Sequence, residues 1–292
     1  MNLVDKQVIQ NKMSKRLVKN QFMNKLFFSA TAFGIVVLIV LLYRVLSEGI
    51  GHLDWGFLTN FASRFPEEAG IKAAIVGSLW LMAVTAPVSL LLGVGTAIYL
   101  EEYASRNKFT RFIQINISNL AGVPSIVFGL LGLTVFVRLL EMGRSIMAGG
   151  LTMSLLILPI IVVSSQEAIR AIPKNQYEAS FAMGATKWQT VRRVVLPAAI
   201  PGILTGGILA LSRAIGETAP LLMIGALSFI AYLPENVWSG FTVLPIQIFN
   251  WTGRPQEEFH LVASTGIIVL LVILLFMNSI AVIIRNKFSK RF

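Results

Sequence analysis

The sequence has no cysteine and only two histidines, and charged residues make up 13% of its 292 residues. Without cysteine the chain can form no disulfide, thiolate metal site, iron–sulfur cluster or cysteine nucleophile. His52 and His260 do not have the spacing of a metal-ligand pair, so we predict no metal site. No GxxxxGK[ST] phosphate loop occurs, which excludes that route of ATP binding. The sequence favours a chain that binds no cofactor and performs no covalent chemistry.

Apolar residues, by contrast, make up 55% of the sequence and are gathered into long runs. A helix needs roughly 20 apolar residues to cross a bilayer. Six segments reach that length: 26–46, 73–98, 113–140, 146–165, 198–222 and 261–284. A transmembrane barrel would need short segments of alternating polarity, which are absent. We predict an all-α membrane protein with six transmembrane helices, the first retained rather than cleaved as a secretory signal.

The basic residues are distributed unequally along this arrangement. Most of the 25 Lys and Arg residues lie before the first span, in the second and fourth loops, and after the last span. Cytoplasmic loops carry the excess of basic residues in membrane proteins, so both termini are predicted to be cytoplasmic. Topology and contact with anionic membrane lipid explain the net charge of +11, and we expect no binding of nucleic acid.

Composition divides the chain into four stretches. A basic cytoplasmic leader (1–25) is followed by the first helix and its external loop (26–72), a transmembrane core (73–285) and a basic cytoplasmic tail (286–292). The first and last external loops are rich in Phe and Trp, which we interpret as anchors in the membrane interface. The alternative is that these loops form a surface for an external partner.

A polar stretch at 178–197 separates two apolar segments and ends at a proline. Capping-box patterns, in which Asn or Thr is followed three residues later by Glu or Gln, begin at Asn175 and Thr186. Between them, Gly184 is suited to the left-handed conformation that ends a helix. The pattern predicts two short helices joined by a glycine turn. A compact polar knob of this kind on the cytoplasmic side indicates a docking element.

Arg213 and Glu217 lie four residues apart in the otherwise apolar fifth span, and hence on one helix face, where they can pair. An arginine at bilayer depth costs at least roughly 2.5 kcal/mol on insertion scales, so we expect the pair to face protein or water. Two interpretations remain open. The pair orients one helix, or Arg213 attracts an anion on a transport path while Glu217 holds the guanidinium.

Prolines and glycines interrupt several of the apolar segments. Pro124 and Pro220 free backbone carbonyl groups and bend helices. Glycines such as Gly122 allow neighbouring helices to approach closely. Together with Ser125, we assign these positions to helix packing or gating in a protein whose helices move.

The polar stretch also carries a family resemblance. The residues EAS at 178–180, G at 184 and VVLP at 194–197 match, at full spacing, the cytoplasmic EAA loop of ABC-importer permeases, with Ser180 in place of the third-position alanine. The stretches GVPSIV at 122–127 and RAIGETAP at 213–220 are similar to those of phosphate-specific transporter permeases, of the PstA rather than the PstC type. The resemblance covers about 70–285.

The resemblance implies an ABC-importer type I permease fold with a cytoplasmic EAA coupling helix within 174–197, in a bacterial inner membrane. It implies a heterodimer with a PstC-like permease, a PstB-like ATPase dimer that binds ATP and magnesium, and an external phosphate-binding protein. The alternatives are a permease for another oxyanion, such as molybdate or sulfate, and a passive anion channel or membrane scaffold that needs no ATPase.

In that family the EAA helix docks in a groove of the ATPase, and the arginine and glutamate of the fifth span are needed for phosphate translocation. Carried over to this sequence, the expected ATPase-coupling residues are Glu178, Ala179, Ser180, Gly184, Lys187 and Trp188. The expected residues of the phosphate path are Arg213, Glu217 and Thr218.

Overall fold

The computed structural model describes residues 6–105, 107–227 and 229–288, and these contain helices but no β-strand. The helices are α1 (Lys6–Gly49), α2 (Trp55–Thr59), α3 (Lys72–Ile98), α4 (Lys108–Leu120), α5 (Ser125–Gly132), α6 (Ile146–Arg170), α7 (Lys174–Ala182), α8 (Lys187–Thr190), α9 (Leu196–Gly216), α10 (Ala219–Ile224), α11 (Leu244–Thr252) and α12 (Glu257–Phe288). Wider π-helical turns extend α3 (Tyr99–Tyr103) and α5 (Leu133–Leu139) and join α8 to α9 (Val191–Val195). The all-α prediction is confirmed.

Five helical segments are long and apolar enough to cross a membrane: Arg16–His52, Lys72–Tyr103, Ile146–Arg170, Lys187–Gly216 and Glu257–Lys287. A sixth crossing exists only if α4 and the extended α5 are counted together, and these are bent by 106°. The prediction of one continuous span over 113–140 is therefore wrong. The chain leaves the helix after Leu120, and Pro124, which lacks a backbone N–H, precedes α5.

The first helix is longer than the predicted span. It begins at Lys6 rather than near residue 26, so the described part of the leader is continuous with the membrane helix. No proline or glycine occurs before Gly34 to interrupt it. At its other end α1 packs on α12, where Thr265 donates a hydrogen bond of 2.9 Å to the Gly49 carbonyl. Residues 1–5 of the leader and 289–292 of the tail lie outside the described residues.

The core is formed by α3, α6 and α9, with α6 packed between the other two. Small and hydroxyl side chains allow the helices to approach. Ser154 of α6 donates a hydrogen bond of 3.2 Å to the Thr85 carbonyl of α3, and Gly206 of α9 lies directly against Ser164 of α6. Around these contacts lie large buried side chains, among them Leu81, Met153, Ile157, Ile161 and Leu221.

Several loop aromatic residues are buried in protein rather than in the membrane interface. Phe57 of α2 packs on Trp251 of α11, with ring centroids 5.9 Å apart, and Phe241 is fully buried. For these three residues the prediction of interfacial anchors is wrong, because the two external loops pack on each other and on α12. Trp55 and Trp238 are exposed, as anchors or partner contacts would be.

The predicted fifth span, 198–222, is also interrupted. Helix α9 ends at Gly216 and α10 begins at Ala219, with Glu217 in an extended conformation between them. The short α10 packs closely on α5, because a Cβ added to Gly129 would lie only 2.6 Å from the Pro220 Cα atom. The two interrupted helices therefore support each other.

This contact can be tested by adding one methyl group. We expect Gly129→Ala to destabilise the protein by about 1–3 kcal/mol, the usual cost of overpacking, and to lower its melting temperature in lipid nanodiscs. The control is Gly95→Ala in α3, where no atom lies within 4 Å of the added Cβ. Equal melting temperatures for the two variants would contradict the close packing of α5 and α10.

Candidate functional site

Arg213 and Glu217 form the predicted ion pair. Arg213 Nε lies 3.1 Å from Glu217 Oε1. Arg213 belongs to the last turn of α9, whereas Glu217 lies just beyond the helix end and reaches back to it. The Glu217 side chain is 18% exposed and that of Arg213 is 53% exposed. The carboxylate is thus held in the protein, while about half of the Arg213 side chain remains exposed.

Thr218, the third predicted residue of the phosphate path, follows this pair immediately before α10. Of the residues predicted for helix packing or gating, Pro220 is buried against Gly129, and the others lie before or at the start of α5. Ser125 is the first residue of α5 and is half-buried. Gly122 is exposed, and a Cβ there would meet only the carbonyl of Asn119, so close helix contact within the described chain occurs at Gly129 instead.

The helical turn that contains Arg213 is held by a hydrogen bond between Ser212 and Asn278, which the sequence did not indicate. The hydroxyl of Ser212, the preceding residue, donates a hydrogen bond to the Asn278 amide oxygen of α12. Polar side chains in apolar helices bond across helix pairs because lipid offers them no partner. This bond fixes the last turn of α9 against α12.

The polar knob has the predicted form of helix, glycine turn and helix. Gly184 has φ +77°, its N–H donates to the Phe181 carbonyl, and the N–H of Ala185 donates to the Ser180 carbonyl. This is the Schellman arrangement that closes a helix C-terminus. In the second capping box, the Thr186 N–H donates to Gln189 Oε1 at 2.8 Å, and the Gln189 N–H donates to Thr186 Oγ1 at 3.3 Å.

The first capping box does not form. Pro173 occupies the N-cap position of α7 and the helix begins at Lys174, so Asn175 lies inside the helix rather than at its cap. Proline has a suitable fixed φ, here −61°, but no side-chain acceptor. Glu178 is consequently exposed, with no ion pair to another described residue.

The outer surface of the knob is apolar at several points. Phe181, Met183 and Trp188 are exposed, Trp188 to 60%. Met183 also lines a groove of about 560 Å³, together with Gln176, Ala179, Ser180, Ala185, Arg193 and Val194. Unlike Trp188, the following Val191 and Val195 are buried, in the π-turn after α8. Trp188 is left free for contact with another protein.

On its inner side the knob contacts the end of α3. Tyr177 Oη donates a hydrogen bond of 2.8 Å to Glu102 Oε1, and Lys187 Nζ lies 5.2 Å from the centre of the Tyr103 ring. Burial, and then the bond to Glu102, raise the pKa of the Tyr177 phenol, so it remains a protonated donor. Lys187 was predicted as an ATPase contact, yet in this chain it faces Tyr103.

Neighbouring Glu101 pairs with Arg170 at the end of α6, at 2.6 and 2.9 Å. These inner contacts were not predicted from the sequence. Their one signal was the pair of adjacent glutamates that ends an apolar span.

The two predicted sites lie at opposite ends of one helix. Arg213 is separated from the start of α9 by 17 residues, or about 25 Å at 1.5 Å per residue. The knob is joined to that start by the π-turn Val191–Val195. The structure thus gives an exposed cation at one end of α9 and an exposed apolar and basic surface at the other.

Comparison with known proteins is consistent with this arrangement. Residues 89–291 match the family described as binding-protein-dependent transport system inner membrane component. The probable ABC transporter permease protein YqgI of Bacillus subtilis is 32% identical over 275 residues, covering 90% of this chain and 94% of the relative. The phosphate transport system permease protein PstA of Yersinia pestis is 31% identical over 288 residues, covering 95% and 94%.

Solved structures share the fold at lower identity. The inward-facing MetNI methionine ABC transporter matches with a TM-score of 0.62 at 18% identity, covering 75% of this chain and 97% of that one. A bacterial ABC transporter involved in the import of the acidic polysaccharide alginate matches with 0.61 at 17%, covering 94% and 100%. The chain belongs to the binding-protein-dependent transport system inner membrane components and is a permease subunit of an ABC importer.

Proposed function

We propose that this permease carries inorganic phosphate inward by alternating access, driven by ATP binding and hydrolysis on a partner ATPase. The observation that carries the proposal is the half-exposed Arg213, held by Glu217 at the break between α9 and α10. Several relatives that are about 30% identical over most of the chain are named phosphate transport system permeases. One is PstA 1 of Mycobacterium tuberculosis, at 31% over 283 residues.

The chemistry of Arg213 suits a phosphate ion. A guanidinium offers five N–H donors in a planar fork that matches two oxygens of a phosphate. Among the described residues Glu217 accepts only from Nε, so the donors of Nη1 and Nη2 remain available. Glu217 also partly offsets the positive charge. This weakens the hold on the anion, and an anion on a transport path must be released as well as bound.

The knob supplies the proposed coupling to ATP. Glu178, Ala179, Ser180 and Gly184 face outward or line the groove, beside exposed Met183. We infer that a PstB-like ATPase dimer, which binds the ATP and magnesium, receives this surface from the cytoplasm. A passive channel would not need a surface that binds an ATPase.

A PstC-like permease is expected to complete the path opposite the open side of Arg213, and an external phosphate-binding protein to deliver the anion. With the knob on the cytoplasmic side, both termini are cytoplasmic, because Lys and Arg are concentrated on that side.

Replacing the arginine tests the transport site. Arg213→Leu removes at least two charge-assisted hydrogen bonds, so we expect phosphate uptake by the reconstituted importer to fall by about 100-fold, with assembly unchanged. Arg64→Leu, at an exposed arginine of the first external loop, is the control. Undiminished uptake by Arg213→Leu would refute the role of this residue. Inhibition of uptake by a modest excess of sulfate or molybdate would identify a different oxyanion as the cargo.

The docking surface is tested by a matched pair of tryptophans. Trp188 on the knob and Trp238 in the last external loop are exposed to 60% and 58%. Truncating an aromatic anchor costs about 2 kcal/mol or more, so we expect Trp188→Ala to weaken ATPase binding by about 30-fold. Trp238→Ala, on the other side of the membrane, is expected to leave it unchanged. The measurement is titration of the ATPase onto nanodisc-embedded permease, and equal affinities would exclude the knob as the docking site.

A further inference from the structure

Three consecutive residues at the end of α3 contact three different elements. Glu101 pairs with Arg170, the last residue of α6. Glu102 accepts the hydrogen bond from Tyr177 of α7, and the ring of Tyr103 lies under Lys187 of α8. We call Glu101, Glu102 and Tyr103 the clasp.

The π-turn makes this divergence possible. The clasp lies within Tyr99–Tyr103, and the turn closes with a bond of 2.8 Å from the Ala104 N–H to the Tyr99 carbonyl. A π-turn is wider than an α-turn, and such turns are rare and are frequently found at functional sites. Here the turn directs adjacent side chains to α6 on one side and to the knob on the other.

The contact of Glu101 is the strongest of the three. One of its oxygens accepts from Gln166 Nε2 at 2.7 Å and from Arg170 Nη2 at 2.6 Å, and the other accepts from Arg170 Nε at 2.9 Å. The Glu101 side chain is 14% exposed. A bidentate pair of this kind fixes orientation as well as distance. It therefore locks the end of α3 to the end of α6.

Helix α7 has limited apolar attachment. It contains no fully buried residue, and its Tyr177 packs only partly against the apolar cluster that includes Leu100 and Ile169. Ser180 Oγ lies 2.9 Å from Thr190 Oγ1, which joins α7 to α8 within the knob. Its contacts to α3 come from Tyr177 and Lys187 through the clasp.

We propose that the clasp transmits movement of the knob to α3, so that this helix moves together with α6 and α9 when the ATPase acts. This inference rests on the proposed transport function. Helix α9 is joined to the knob by the chain itself, through Val191–Val195. Helix α6 is joined to the knob by the three-residue link 171–173, whereas α3 receives the movement only through the clasp. Without the clasp, α6 and α9 would move against a stationary α3, and ATP would be hydrolysed with little transport.

The first test measures phosphate transported per ATP hydrolysed by the complete importer in proteoliposomes. We expect Glu101→Ala to lower this ratio by about fivefold, within the range in which residues between two sites modulate their coupling, with ATPase binding and basal hydrolysis unchanged. The matched control is Glu167→Ala. Glu167 also pairs with Arg170, at 3.1 Å, but lies on α6 itself and so joins no second element.

Exchanging the charges of Glu101 and Arg170 distinguishes a loss of transmission through the clasp from a general loss of protein stability. Glu101→Arg combined with Arg170→Glu restores an ion pair in reversed order, and we expect it to recover most of the ratio that each single change loses. An unchanged ratio in Glu101→Ala, or a loss of equal size in the Glu167→Ala control, would overturn the proposal. Failure of the exchanged pair to recover any coupling would do the same.

A second measurement does not depend on the cargo. Because the chain has no cysteine, S105C and K174C place two spin labels at exposed positions beside the clasp and at the start of α7. We expect one interspin distance, the same with and without ATP. In the double variant E101A/E102A the clasp no longer holds the knob to α3, so we expect ATP to produce a second interspin distance.

An unchanged distance in that background would overturn the clasp. If the wild-type importer hydrolyses ATP without moving phosphate, the proposed cargo is wrong, while the distances still decide whether the clasp holds the knob to α3.

Discussion

The structure depends on one constraint, that backbone N–H and C=O groups within a membrane must find their partners in the protein. Both interruptions in the apolar helices satisfy it locally. Before α5, the Gly122 N–H donates to the Asn119 carbonyl and the Val127 N–H to the Pro124 carbonyl. Before α10, the Leu222 N–H donates to the Thr218 carbonyl. The close packing of α10 on α5 then joins the two interrupted helices at Gly129 and Pro220.

The same constraint explains why the ion pair lies where it does. A break in a helix exposes polar backbone, and a charged side chain is least costly where polar groups and water are already admitted. Arg213 is in the last turn of α9, where its charge also interacts favourably with the helix dipole. Glu217 is held outside the helix, so the pair spans the break. In the proposed function, this arrangement lets the anion reach the guanidinium without entering lipid.

Local patterns predicted the fold class, the glycine turn at Gly184, the capping box at Thr186 and the pairing of Arg213 with Glu217. The fold class depends on continuous apolar runs, and the other three depend on residues within four positions of one another. What they could not predict depends on residues far apart in the chain. Glu101 and Arg170 are separated by 69 residues, and no periodicity in either segment indicates the other. The 106° bend between α4 and α5 could not be predicted either. Pro124 indicates that the helix is interrupted, but the angle depends on how the two helices pack.

The position of the break also bears on how movement at the knob reaches the anion site. Arg213 moves with α9, whereas α10 is held against α5 by the contact of Pro220 with Gly129. Glu217 lies on the two-residue link between them. A displacement of α9 relative to α5 must therefore be taken up at this link, and it changes the 3.1 Å contact between Arg213 and Glu217. When that contact opens, the guanidinium is released from its carboxylate and its attraction for an anion increases. Movement of one rigid helix can thus alter anion affinity about 25 Å from the surface where it begins.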